Sequence, residues 1–160
     1  MINLRQFLRG ARFMALLGAA LAISACANQV SGPQTSAAAT PGSKQDFVVN
    51  VGDRVFFSTD SSDLSAQSRA TLDKQAQWLN HYPQYTFVIE GNADERGTRE
   101  YNLALGARRA QVVRDYLISQ GVPPDRLAAA GFGEYQPIVP GDTPEARAAN
   151  RRIELKLTER

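Results

Sequence analysis

Residues 85–90 (YTFVIE) narrow most sharply what this chain can fold into. The run is too short for a helix of its own and too apolar to leave a face in water, so it reads as a strand buried on both faces. Helix-length patterns stand on either side. Upstream, Leu72, Ala76 and Leu79 recur at helical spacing behind Ser65, a good N-cap type, and His81-Tyr82-Pro83 ends the pattern near Asn80. Downstream, a helix from about Arg99 to Gln120 has Ala110, Val113 and Leu117 as its core face. Gly121 sits where a C′ glycine belongs, and Pro123-Pro124 blocks continuation. Residues 54–57 (RVFF), 127–132 and the alternating 153–157 (IELKL) supply three more strands, the last with one wet face. No internal repeat is visible. The order β-α-β-α-β-β predicts an α/β sandwich of the α+β kind, a mixed sheet with helices packed on one face. A helix joins the first two strands, which predicts that they run parallel. Their carboxyl ends then share an edge, bringing Asp60 towards Asp94 where ligands tend to bind in such sheets.

This folding pattern begins only near residue 46. Arg5, Arg9 and Arg12 precede an apolar run at residues 13–23, too short to span a bilayer, which is the pattern of a secretory signal. The run ends Ile23-Ser24-Ala25-Cys26, and Cys26 is the sole cysteine, so no disulfide can form within the chain. An aliphatic residue, two small residues and a cysteine resemble the lipobox of bacterial lipoproteins. That resemblance implies diacylglycerol on the Cys26 sulfur and cleavage before it. It also implies acylation of the new amino terminus, and several acyl chains give a stable anchor. Ala27, where retained lipoproteins often carry Asp, implies transfer to the outer membrane, facing the periplasm. Residues 27–45 are small, polar and proline-punctuated and cannot bury enough apolar surface to fold alone. The expected organisation is thus a signal at 1–25, a lipidated cysteine and tether at 26–45, and a domain at 46–160. Of 18 basic residues, removal of the three signal arginines leaves 15 against 16 acidic ones, a net of about −1. Such a body has no electrostatic footprint for nucleic acid.

The densest polar stretch, residues 91–102 (GNADERGTREYN), follows the buried strand and opens a helix. A charged loop is commonly just solvated surface. Here, however, Asp94 and Glu95 can accept from an ammonium group, while Arg96, Arg99, Arg108 and Arg109 offer planar forks for a carboxylate. That combination suits an amino-acid zwitterion.

GNADERGTREYNLALGARRA, with VFFSTDSSDLS before it and ANRRIELKL after it, resembles the OmpA-like peptidoglycan-binding domain over roughly residues 50–157. The resemblance implies a ligand, the diaminopimelate arm of uncrosslinked stem peptides. It casts Asp94 as receiver of the ammonium group and Arg109 as the fork for the carboxylate. Asp60, Arg96, Thr98 and Leu105 follow as lining of the same pocket. Asn92 stands where many members have His, and Ser58-Thr59 is less typical, which could alter the pocket wall. For lipid-anchored members the implied partner is the periplasmic propeller protein TolB. Arg151 and Arg152 match the family's NRR and read either as ligand contacts or as ties between the last strand and the second long helix. Trp78 reads as core rim, His81 as surface, and Tyr101 as packing under the loop.

Two alternatives are a lipoprotein with the same domain that binds the wall outside the Tol system, and a hydrolase acting on the same polymer. One histidine, and one cysteine assigned to lipid, leave too few ligands for zinc and no nucleophile triad. A carboxylate pair drawn from Asp60, Asp63, Asp94 and Glu95 is available. The neighbouring arginines would depress its pKa values, contrary to general-acid work. The expectation is a binding protein without cofactor, metal or catalysis.

Overall fold

The computed structural model describes residues 39–159. Cys26, the signal run and most of the segment read as tether lie outside the described residues. A single turn, α1 (Lys44–Asp46), runs into a π-helical stretch (Phe47–Val51), and then β1 (Arg54–Phe56), α2 (Ala66–His81), β2 (Tyr85–Asn92) and α3 (Arg99–Ser119) follow. After a 3-10 turn (Pro124–Arg126) come β3 (Leu127–Gly133), α4 (Pro144–Asn150) and β4 (Arg152–Glu159). Among the described residues no helix is long and apolar enough to cross a membrane.

The expected strands and long helices form, with ends displaced by a residue or two. Ser65 caps α2, its hydroxyl accepting from the Ser68 N–H, and Thr98 caps α3 in the same way through Tyr101. Gly121 has φ 87°, the left-handed conformation that ends a helix without Cβ strain. Three features depart from the sequence reading. β2 is buried on one face only, through Tyr85, Phe87 and Ile89, while Thr86, Val88 and Glu90 on the other face are half-buried, because the long helices cover one side of the sheet. The stretch at residues 44–51 and α4 are helical, though neither carries a periodic apolar stripe long enough to announce itself. The wet face expected of β4 is half covered: Arg152 and Glu154 are buried beside Ile153 and Leu155. Arg152 donates to the Gln136 carbonyl and to Glu154, so the segment after β3 lies over this end of the strand.

The sheet order is β1-β4-β2-β3, with β2 parallel to β3 and β4 antiparallel to both β1 and β2. β1 and β2 therefore run in the same direction, as expected, but β4 lies between them. Their carboxyl ends still share one edge. α2 and α3 pack on the sheet and on each other around Leu72, Leu79, Phe87, Ile89, Val113 and Leu117, all almost wholly buried.

At the end where β2 begins, Trp78 lies within about 5 Å of the rings of Phe47, Tyr82 and Tyr85, and its indole N–H donates to Asp46. Trp78 is thus part of the core rim. Buried Arg126 donates to the carbonyls of Leu79, Tyr82 and Tyr85, tying the end of α2 to the start of β2. The chain is already held at Gly42, whose carbonyl accepts from the Tyr85 hydroxyl.

Where α3 crosses β2, glycine meets glycine. A Cβ on Gly91 would stand 1.9 Å from the Gly106 carbonyl oxygen, and one on Gly106 would stand 2.3 Å from the Gly91 carbonyl oxygen. This close approach sets how deeply the first turns of α3 sit over the carboxyl edge of the sheet.

Candidate functional site

The buried stripe of α3 continues towards its N-terminus through Arg109, Gly106, Leu105 and Asn102. It changes from apolar to polar as it nears the sheet edge. Arg109 has no exposed surface. Its Nε donates to the Ser61 carbonyl at 2.8 Å, Nη1 to Asn92 at 3.0 Å and Nη2 to Ser58 at 3.0 Å. The guanidinium also stands 5.1 Å from the Phe57 ring centroid. One side chain thereby ties α3 to the segment after β1 and to the end of β2. Burial, then the nearby Arg151 charge, pushes its pKa down to about 10, which leaves it cationic at neutral pH.

Asp94 follows β2 and is 7 % exposed. Its Oδ2 accepts from Arg96 Nη2 at 2.8 Å and from Arg151 Nη1 at 3.0 Å, and its Oδ1 accepts from the Arg96 backbone N–H at 3.2 Å. Burial pushes the carboxyl pKa up, but the hydrogen bonds from the two arginines outweigh it, and the net shift is downward. Arg151, just before β4, also donates to the Phe57 carbonyl at 3.1 Å. It links the last strand to the Asp94 turn and the end of β1, not to α3. Asp60 has φ 52°, the only positive φ outside glycine among the described residues. Asp tolerates that conformation better than most residue types. Its carboxylate accepts from the Tyr101 hydroxyl, which pushes the phenol pKa up.

These groups surround a cavity of about 290 Å³. Five of the six residues singled out from sequence line it: Asp60, Asp94, Arg96, Leu105 and Arg109. Thr98 is outside the lining, and its hydroxyl is used as the α3 cap. Thr59 is in the wall, its hydroxyl accepting from Arg96 at 3.3 Å. The Ser58 carbonyl holds Arg109, so the atypical Ser58-Thr59 pair does touch the site. Tyr101 does not pack under the loop: it is 44 % exposed and reaches across to Asp60. Arg151 completes the wall, a place visible only once β4 is known to lie between β1 and β2. Among the described residues, no group of three or more His, Cys, Asp or Glu side chains is placed to hold a metal ion. The cavity combines one buried carboxylate, a second at the rim and three guanidinium groups, which is chemistry suited to a ligand carrying both charges.

The chain belongs to the OmpA family, whose model matches residues 56–151. Within that family it is similar over most of its length to peptidoglycan-associated lipoproteins. It is 54 % identical over 139 residues to the one from Rhizobium meliloti (strain 1021), covering 82 % of this chain and 79 % of the relative. It is 46 % identical over 101 residues to that of Pseudomonas putida, covering 63 % of this chain and 60 % of the relative. The solved peptidoglycan-associated lipoprotein of Burkholderia pseudomallei superposes with a TM-score of 0.64 at 40 % identity, covering 66 % of this chain and 90 % of that one. The C-terminal domain of Helicobacter pylori MotB superposes at 0.63 with 25 % identity, covering 68 % and 85 %.

Proposed function

We propose that the protein is an outer-membrane lipoprotein that grips peptidoglycan without covalent bonds and so links membrane to wall. The observation that carries this reading is the buried Asp94 carboxylate between Arg96 and Arg151, in a cavity floored by Arg109. The ligand is the diaminopimelate side arm of an uncrosslinked stem peptide. Asp94 accepts from its ammonium group. Arg109 gives three N–H groups to backbone carbonyls, which leaves two, one on each Nη, as donors for the ligand carboxylate. Asp60, Arg96 and Leu105 complete the lining, and Thr98 acts by holding the first turn of α3. Acyl chains on Cys26 hold the other end in the outer membrane, on its periplasmic side, and residues 26–45 span the gap. Because the wall offers many identical sites, modest affinity at each suffices for firm attachment. In this reading nothing is catalysed: the Asp94 pKa is shifted downward, the wrong direction for a general acid. TolB is the proposed protein partner, and through it the Tol system of envelope integrity and cell division.

Co-sedimentation of the full chain with isolated sacculi tests the clasp. The parent should pellet with the wall, and Asp94→Ala should remain in the supernatant. Arg109→Ala also removes three carbonyl contacts, so Arg109→Lys, which keeps the charge and loses the fork, serves as its partner variant. Folded Arg109→Lys should lose most of the binding. If all of them pellet alike, the site is wrong. If the parent stays soluble, wall anchoring is wrong. Retention of purified TolB on the immobilised protein separates a Tol component from a wall binder outside that system.

A further inference from the structure

The chain joins the fold at the pole opposite the cavity. The Gly42 carbonyl accepts from the Tyr85 hydroxyl at 3.0 Å, and the Gly42 N–H donates to Asp46 Oδ2 at 2.8 Å. The same carboxylate oxygen accepts from the Trp78 indole N–H at 3.0 Å. One residue on, Phe47 has no exposed surface, and its ring lies 5.0 Å from those of Trp78 and Phe87. Residues 42–47 are thus fastened by side chains of α2 and β2 before the chain reaches β1. Tyr85 opens β2, and Asp94 follows its end, so eight residues of strand separate fastening from cavity by about 25 Å.

β1 and β2 would respond very differently to a pull. β1 is three residues long and is paired on one side only, with β4. Part of the cavity wall hangs directly from it: the Ser58 and Ser61 carbonyls hold Arg109, and the Asp60 carboxylate holds Tyr101. β2 is eight residues long and is paired on both sides, with β3 and β4. A load along β2 must break many ladder bonds together, because they lie across the direction of pull. Were the chain free as far as residue 53, tension from the N-terminal side would fall first on β1. The fastening at 42–47 delivers it to α2 and to the start of β2 instead.

We propose that residues 42–47, Trp78 and Tyr85 form a force clamp that diverts tension on the tether away from β1 and into β2. The inference rests on the membrane-to-wall reading above. Tether and ligand then pull on opposite ends of one central strand, and the cavity wall behind β1 keeps its shape under load.

Optical-tweezers pulling of the full, unlipidated chain tests this. Cys26, the sole cysteine, takes one handle, and Glu95→Cys supplies the other. With the clamp intact, the chain should extend without a step until the domain ruptures. Asp46→Ala combined with Tyr85→Phe should instead release residues 42–53 at lower force, in a first step of up to about 40 Å. A second geometry, with Cys26→Ser, Glu95→Cys and Thr158→Cys, stretches the sheet without loading the clamp, since Thr158 pairs with Thr86 near the start of β2. There the clamp variant should rupture at the same force as the intact chain. The clamp is overturned if the intact chain releases that segment at low force, or if the variant matches the intact chain in the first geometry. It is equally overturned if the variant is weakened alike in both, which would mark these contacts as general stability. No ligand enters this assay, so a failure of wall binding, read by co-sedimentation, is distinguished from a failure of the clamp.

Discussion

Asp94 and Arg109 show how differently two site residues can be built. Arg109 is a structural tie as well as part of the cavity lining, because removing it would strand carbonyls from three positions on two segments, Ser58, Ser61 and Asn92. Asp94 is anchored only by groups that also line the cavity. Its folded pKa lies below that of an unfolded aspartate, about 3.9. A carboxyl with a depressed folded pKa contributes stability that is present above the unfolded value and is lost as pH falls through the folded one. Asp94→Asn should therefore unfold at lower urea than the parent by a constant margin above about pH 5, and the gap should close below about pH 4. A margin unchanged down to pH 2 would show that the Arg96 and Arg151 contacts contribute nothing. Asp94 and Arg109 were legible from residue type and motif. The role of Tyr101 was not, because its partner Asp60 lies 41 positions away.

At the scale of elements, caps and punctuation placed α2 and α3 well. Ser65 and Gly121 act locally, and local chemistry can be read along a chain, whereas Thr98, expected in the pocket lining, proves to be the α3 cap. The contact between α3 and β2 is another matter. Gly106 in a helix interior costs about 1 kcal/mol relative to alanine in propensity. It is tolerated because a Cβ there would meet the Gly91 carbonyl oxygen at 2.3 Å. Gly106→Ala should therefore destabilise the protein by about 2 kcal/mol or more despite the better helix former, read as a lower melting temperature. It should also weaken wall binding, since α3 carries Arg109 over the edge where Asp94 stands. A melting temperature equal to the parent's would mean that the two backbones are not in contact. The helices at 44–51 and 144–150 were not legible, because short segments are stabilised by what they pack against, as Phe47 is by Trp78 and Phe87.

For the molecule as a whole, the decisive fact is that the last strand is laid between the first two. β4 supplies every ladder contact of β1 and one side of β2, and it delivers Arg151 to the cavity. A chain truncated before Arg151 should show no cooperative unfolding transition by circular dichroism, although each long helix and its caps remain intact. Cooperative unfolding of the truncated chain would show that β1 pairs in some other way. By itself the sequence determined the class of fold, the long helices with Ser65 and Gly121 at their ends, the direction of the first two strands and the five cavity residues carried by motif. Each follows from periodicity, turn chemistry or residue type within a short window. Only the tertiary structure decided the strand order, the place of Arg151, the Tyr101–Asp60 contact and the seating of residues 42–47 against Trp78 and Tyr85. Those depend on contacts between residues far apart in sequence, and no local preference encodes which distant segment will fill a given edge of a sheet.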